Sequence, residues 1–215
     1  MCKILELSMK EELVKYIESE IIPRYENFDA AHGVAHVRYV IDESLRLAQY
    51  FDVDVNMVYA IAAYHDTGLC EGRATHHVVS GRIIMEDEKL KAFFSDTQLQ
   101  TMRDAVEDHR ASSAHAPRSV YGCIVAEADR QIDPMVTIRR TIQYGLSHYP
   151  ELGEKEQYER MLLHLHEKYA EGGYLKLYVK QSSNAERLAQ LRQIIADEEQ
   201  LNAIFCRIYA EETEA

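Results

Sequence analysis

The sequence predicts an all-α protein, a helical bundle followed by a helical C-terminal extension. Three observations carry that expectation. Gly and Pro number only 9 and 4 in 215 residues, few for a sheet protein built on tight turns. Long stretches consist of the helix formers Glu, Leu, Ala, Lys, Arg and Gln. Apolar residues also recur at the helical spacing of three and four.

The elements follow in order. Residues 8–22, SMKEELVKYIESEII, read as a first helix with Ser8 as N-cap and Glu11 at the capping-box spacing. Leu13, Ile17 and Ile21 form its apolar stripe, and Pro23 is expected to end it. A connector follows, with Asp29 and Gly33 as turn residues. The second helix spans about Val34 to Phe51. The third starts after Asp54, a natural N-cap, and ends near His65-Asp66. Its apolar residues lie nearly all round, as in a buried central helix.

Gly68 and Gly72 bracket a polar loop, and a further helix begins near Thr75 or His76. Residues 89–94 and 97–109 read as two more helices. Residues 111–118 form a loop, and an apolar helix follows to about residue 131. Helices are expected at 134–147, 155–170 and, as one long element, 184–212. No repeat or linker interrupts the chain. It therefore reads as a bundle over residues 1–150, with an extension at 151–215 packed on the same domain.

The formal net charge is −12. That argues against a nucleic-acid polymer as partner, because phosphate backbones need clustered Lys and Arg. A small phosphorylated substrate is compatible with it, since divalent cations can reverse the potential locally. Cys2, Cys70, Cys123 and Cys206 are far apart and show no C-x-x-C spacing, which fits reduced thiols and a cytoplasmic protein better than a zinc knuckle. The N-terminus carries Lys3 and Glu6 and lacks a long apolar core. Neither a signal peptide nor a membrane span is expected.

The polar residues at helix ends are the informative ones. The third helix finishes at His65-Asp66, the 97–109 helix at Asp108-His109 and the 119–131 helix at Asp129. His36 lies in the first turn of the second helix, and His76 and His77 begin another. Imidazole nitrogens and carboxylate oxygens suit Zn²⁺, Mn²⁺, Fe²⁺ or Mg²⁺. A bundle can assemble such ligands from several helices.

In that order, HGVAHVRYV, AYHDTG and VAEADRQID resemble the HD-domain superfamily of metal-dependent phosphohydrolases over about Ala30 to Pro134. The resemblance implies an HD-domain helical bundle in which His36, His65, Asp66 and Asp129 bind one metal. Asp66 then bridges to a second ion, held by His76 and His109. His76 is preferred to His77 because of its spacing to Ser80-Gly81. The alternative for His76 and His109 is that of ordinary helix-terminal residues.

The implied cofactor is one or two divalent ions of Fe, Mn, Zn, Mg or Co, with Asp66 orienting the attacking water. His32, four residues before His36, stands where related cyclic-nucleotide phosphodiesterases have a general acid. The alternative is a polar connector residue. Arg73, Arg110, Arg118 and Arg130 cluster in sequence around these motifs. They either bind substrate phosphate bidentately or pair with acids such as Asp108 and Glu127.

The resemblance thus implies hydrolysis of a small phosphoester, a nucleotide or related metabolite. The alternatives are a di-iron oxygenase on the same fold and a non-catalytic nucleotide-binding module. The Glu-Asp pattern of guanosine-tetraphosphate hydrolases and the Gly-Tyr-Pro signature of cyclic-di-nucleotide hydrolases are both missing, so neither activity is expected. The apolar stripe of the last helix reads as core, with a homodimer as its other possible use.

Overall fold

The structure, a computed structural model, describes residues 9–29 and 32–214. It is helical throughout, with no strand among the described residues. These residues fall into two compact units. The first runs to Arg130 and takes back Tyr178–Ser182, and the second comprises Gln131–Leu177 and Ser183–Ala215. The helix that follows Asp133 therefore groups with the C-terminal helices. By sequence it is expected in the bundle over residues 1–150.

The first unit opens with α1, Glu11–Tyr16. The expected N-cap, Ser8, lies outside the described residues. Pro23 does not end the helical path as expected. The chain widens into a π turn at Ile17–Ile21 and tightens into a 3₁₀ segment at Ile22–Asn27, with Pro23 in its first turn. Proline has no N–H to give the preceding turn and its ring crowds that turn. A change of winding accommodates both defects.

Helix α2 is Val34–Ala48, shorter than expected at its C-terminus. Helix α3, Val55–Tyr64, is capped by the Asp54 carboxylate, which accepts from Asn56 N at 2.9 Å. Helix α4 is His76–Glu86, and α5 is a single turn, Glu88–Lys91, capped by Asp87. Helix α6, Asp96–Asp108, starts in a Ser95/Gln98 capping box. Helix α7, Val120–Asp129, is capped by Ser119.

Every side chain of α3 from Asn56 to Tyr64 is buried, as its all-round apolar sequence requires. Around it pack Leu13, Ile17 and Ile21 of the first segment, Val37, Val40 and Leu45 of α2, Leu99 and Met102 of α6, and Ile124 and Val125 of α7.

Residues 178–182 belong to this unit because of one buried acid. Glu127 is fully buried on α7. Its carboxylate accepts from Tyr178 N at 2.7 Å, Val179 N at 3.2 Å and the Ser182 hydroxyl. Glu127→Ala leaves two main-chain donors without an acceptor. It is expected to cost about 2–4 kcal/mol, read as a lower urea midpoint. An unchanged midpoint would show that the segment is held by other means.

In the second unit, α8 is Pro134–His148 with Asp133 as N-cap and Pro134 in the first turn. Helix α9 is Glu154–Lys168. The long final helix expected from sequence is two helices, α10 Asn184–Ala196 and α11 Glu198–Thr213. Asp197 breaks it. Its backbone is extended, and its carboxylate caps α11 by accepting from Gln200 N at 3.0 Å. A short acid can compete in this way with the helical backbone. Ile138, Ile142, Met161, Leu165, Leu191 and Phe205 form this unit's core.

Candidate metal centre

The HD pair sits where α3 stops. Three carbonyls at the end of α3, which a continuing helix would use, are all taken by side chains. Ala62 O accepts from His65 Nδ1 at 2.7 Å, Ala63 O from the Tyr25 hydroxyl at 2.9 Å, and Tyr64 O from Thr67 Oγ1 at 2.8 Å. With those acceptors occupied the helix ends and the chain turns into a 3₁₀ segment, Thr67–Glu71. His65 and Asp66 are thereby left side by side and buried.

The remaining candidate ligands come from four other helices. His36 projects from the first turn of α2, His76 opens α4, His109 follows α6, and Asp129 ends α7. Gly68 allows α4 to come close. A Cβ there would lie 2.1 Å from His76 O and 2.6 Å from Ser80 N. Gly68 N also donates to the buried Ser80 hydroxyl at 2.9 Å.

The result is two sets of ligand atoms sharing one residue. His65 Nε2 lies 3.2 Å from Asp66 Oδ2 and 3.3 Å from His36 Nε2. His36 Nε2 lies 3.2 Å from Asp129 Oδ1. On the other side, His76 Nε2 and His109 Nε2 lie 3.3 and 3.4 Å from Asp66 Oδ1, and 3.2 Å from each other. Asp66 thus turns one oxygen to each set. His36, His65 and Asp66, and separately Asp66, His76 and His109, are each spaced to hold a metal ion.

The chemistry of the donors fits a cation. His65, His76 and His109 each give Nδ1–H to a carbonyl three residues back, at 2.7, 2.8 and 2.6 Å. That bond fixes the tautomer and presents the Nε2 lone pair to the centre, as second-shell carbonyls do for metal-ligating histidine. His36 is the exception, because its Nδ1 is buried without a partner among the described residues. Lone pairs and carboxylate oxygens converging within 3.2–3.4 Å repel one another unless positive charge lies among them.

Without a metal, protons supply part of that charge. Burial disfavours the imidazolium of His65, but the Asp66 and Asp129 carboxylates outweigh it and push the group up to about 9. Burial likewise works against charge on Asp66 and Asp129, yet the surrounding histidines hold both well below the usual carboxylate range. Burial, with the adjacent His109, pushes His76 down to about 4, so it stays a neutral donor. A cation entering the site displaces a proton.

The other residues singled out by sequence divide. His32 is near, its ring 6.0 Å from that of His36, and its Nδ1 meets Asp29 Oδ1 at 2.7 Å. The guanidinium of Arg130 is directed to the carbonyls of Ala126 and His109 and lies 5.1 Å from the Tyr178 ring. Arg110 donates to Ala74 O at 3.0 Å. Arg73 is exposed, and it is its carbonyl that holds His76. Arg118 is tied to Asp104, Glu107 and Asp108, the structural alternative of the two expected for it. Sequence reasoning missed Tyr25 and the close approach at Gly68. Tyr25 carried no motif signal, and Gly68 read only as a loop boundary.

A helical unit that gathers four imidazoles and one further carboxylate around a shared aspartate defines a candidate metal-binding protein. The family model for the HD domain matches residues 33–131, which supports membership of that segment in the HD-domain superfamily. That family consists mostly of metal-dependent hydrolases. No curated protein and no solved structure matches the chain. No helix among the described residues is long and apolar enough to cross a membrane.

Proposed function

We propose that this protein is a metal-dependent phosphohydrolase acting on a small phosphoester, a nucleotide or related phosphorylated metabolite. The observation that carries the reading is the division of Asp66, one oxygen toward His65 and the other toward His76 and His109. On this reading His36, His65, Asp66 and Asp129 hold one divalent ion, and Asp66, His76 and His109 a second. Divalent cations held there would supply an acidified water near neutral pH and neutralise charge on the phosphoryl oxygens.

The protein's own groups do the rest. Asp66 and Asp129 set the geometry of attack and keep the centre anionic enough to retain its cations. His32 serves as proton donor to the leaving oxygen. The Asp29 carboxylate accepts from its Nδ1, which leaves Nε2 to carry the mobile proton. Arg73 and Arg110 contribute positive charge for the phosphate, and Arg130 holds the main chain between Ala126 and His109.

The test is phosphate release from a panel of nucleotides and sugar phosphates, with untagged protein reconstituted in turn with Mn²⁺, Fe²⁺, Co²⁺, Zn²⁺ and Mg²⁺. Turnover with at least one ion is expected. Dioxygen consumption without phosphate release would favour the di-iron oxygenase instead. Tight ligand binding without turnover under every ion would favour a binding module. With a substrate in hand, His32→Ala is expected to lower kcat by roughly 10²–10⁴-fold while leaving the metal content unchanged. Loss of metal in that variant would instead make His32 part of the ligand scaffold.

A further inference from the structure

Tyr25 lies ahead of the HD-domain segment, and no step of the proposed chemistry uses it. It is fully buried. Its hydroxyl donates to Ala63 O at 2.9 Å and accepts from Asp66 N at 3.3 Å. One oxygen thus joins the last turn of α3 to the peptide that carries the shared aspartate. A continuing helix would bond Asp66 N to Ala62 O, four residues back, but that carbonyl is occupied by His65 Nδ1. Asp66 has left the helical conformation, at φ −111° and ψ 6°. The tyrosine hydroxyl takes up both the carbonyl and the N–H that this departure would otherwise orphan inside the core.

Among the described residues the Asp66 carboxylate has no other anchor. Among the described residues its oxygens meet only the imidazoles of His36, His65, His76 and His109, all of them candidate ligands. Metal-binding carboxylates are ordinarily oriented by a further hydrogen-bond donor. Here no such donor reaches the oxygens, so the direction of the side chain is set through its backbone. The Tyr25 ring is itself fixed, edge-on to Phe28 at 5.3 Å and 6.3 Å from the His65 ring.

We propose that Tyr25 is a positioning residue of the metal centre, holding the Asp66 peptide so that the two carboxylate oxygens face two cations. The proposal rests on the metal-centre reading above. The two sides depend on Asp66 unequally. Among the described residues the Oδ2 side has three further donors, His36, His65 and Asp129, whereas the Oδ1 side has His76 and His109 alone. Misplacing Asp66 therefore weakens the Oδ1 side more.

The experiment is Mn²⁺ titration by calorimetry on the untagged full-length chain, comparing wild type, Tyr25→Phe and Tyr59→Phe. Tyr59 is another buried tyrosine, whose hydroxyl meets Glu18 at 2.9 Å. It controls for the loss of a buried hydroxyl as such. Tyr25→Phe is expected to weaken the second Mn²⁺ by about 10–100-fold and leave the first nearly unchanged, with Tyr59→Phe binding both ions like wild type. The visible spectrum of the Co²⁺-loaded protein should change in Tyr25→Phe alone.

Wild-type affinities for both ions in Tyr25→Phe overturn the proposal and leave the hydrolase reading standing. No Mn²⁺ bound by wild type overturns the metal centre itself, and the proposal with it. Should Tyr25→Phe not fold, hydrogen exchange of the Asp66 amide in metal-free wild type decides. Protection before any metal is added supports the role of Tyr25, and exchange at the rate of an open loop overturns it.

Discussion

Replacing Asp66 by alanine is expected to empty both halves of the centre at once, and no other single substitution should do so. Among the described residues Asp66 alone has atoms within 3.2–3.4 Å of histidines on both sides. Its loss removes the anion that compensates one cation and the bridge to the other. The effect on affinity should exceed the roughly 10–100-fold typical of second-shell changes. Elemental analysis is expected to find about two ions per chain in wild type and none in Asp66→Ala, where the number two follows from the proposed binuclear site.

His109→Ala, which touches one side only, should retain about one. A second readout is thermal. An ion at 100 times its dissociation constant stabilises the wild type by about 2.7 kcal/mol, and Asp66→Ala should show no metal-dependent rise in Tm. Two ions retained in Asp66→Ala would end the shared-aspartate assignment. Two retained in His109→Ala would end the assignment of the Oδ1 side.

The second large effect is expected at Gly68. Its absent side chain lets α4 approach the turn that carries the HD pair. A methyl group there would stand 2.1 Å from His76 O, 2.6 Å from Ser80 N and 2.8 Å from the Val79 Cβ. Two of these three atoms are backbone, so no rotamer change relieves the overlap. Gly68→Ala must push the first turn of α4 away, and His76 is its first residue. The variant is expected to lose more than the roughly 1–3 kcal/mol typical of overpacking and to retain about one ion rather than two.

Gly72→Ala is the control, a few residues on. Gly72 has φ 107°, but nothing lies within 4 Å of its would-be Cβ. Gly72 lies in a region of backbone space that is essentially confined to glycine, so that change should cost about 1–3 kcal/mol of backbone strain and leave the metal count unchanged. Urea unfolding and elemental analysis on both variants separate the two cases. Equal losses at Gly68 and Gly72 would mean that the close approach of α4 is unimportant.

Most of the helices could be read from the sequence because a helix is decided by residues within a turn or two of each other. The apolar stripes of α2 and α6, the Asp54 cap and the all-round burial of α3 are all local in this sense. Where the reading failed, the competing term was also local but unresolved by periodicity. The apolar stripe continues past Asp197, and only the bond from Gln200 N to its carboxylate shows that a helix starts anew there. The winding change before Pro23 was hidden in the same way, because proline's lost N–H can be met by ending a helix or by retuning it.

The candidate site divides along the same line. The sequence by itself offered the candidate donors, four imidazoles and two carboxylates placed in order at helix ends, and with them the resemblance to the HD-domain superfamily. It also determined that this acidic chain needs added positive charge to hold a phosphate. Only the tertiary structure decided which oxygen of Asp66 faces which histidines, and that Glu127 clasps residues 178–182. It alone tied Arg118 to three acids, and it alone put the Tyr25 hydroxyl at the end of α3. These are distances between helices far apart in the chain, set by how their surfaces pack. No spacing within a single helix encodes them.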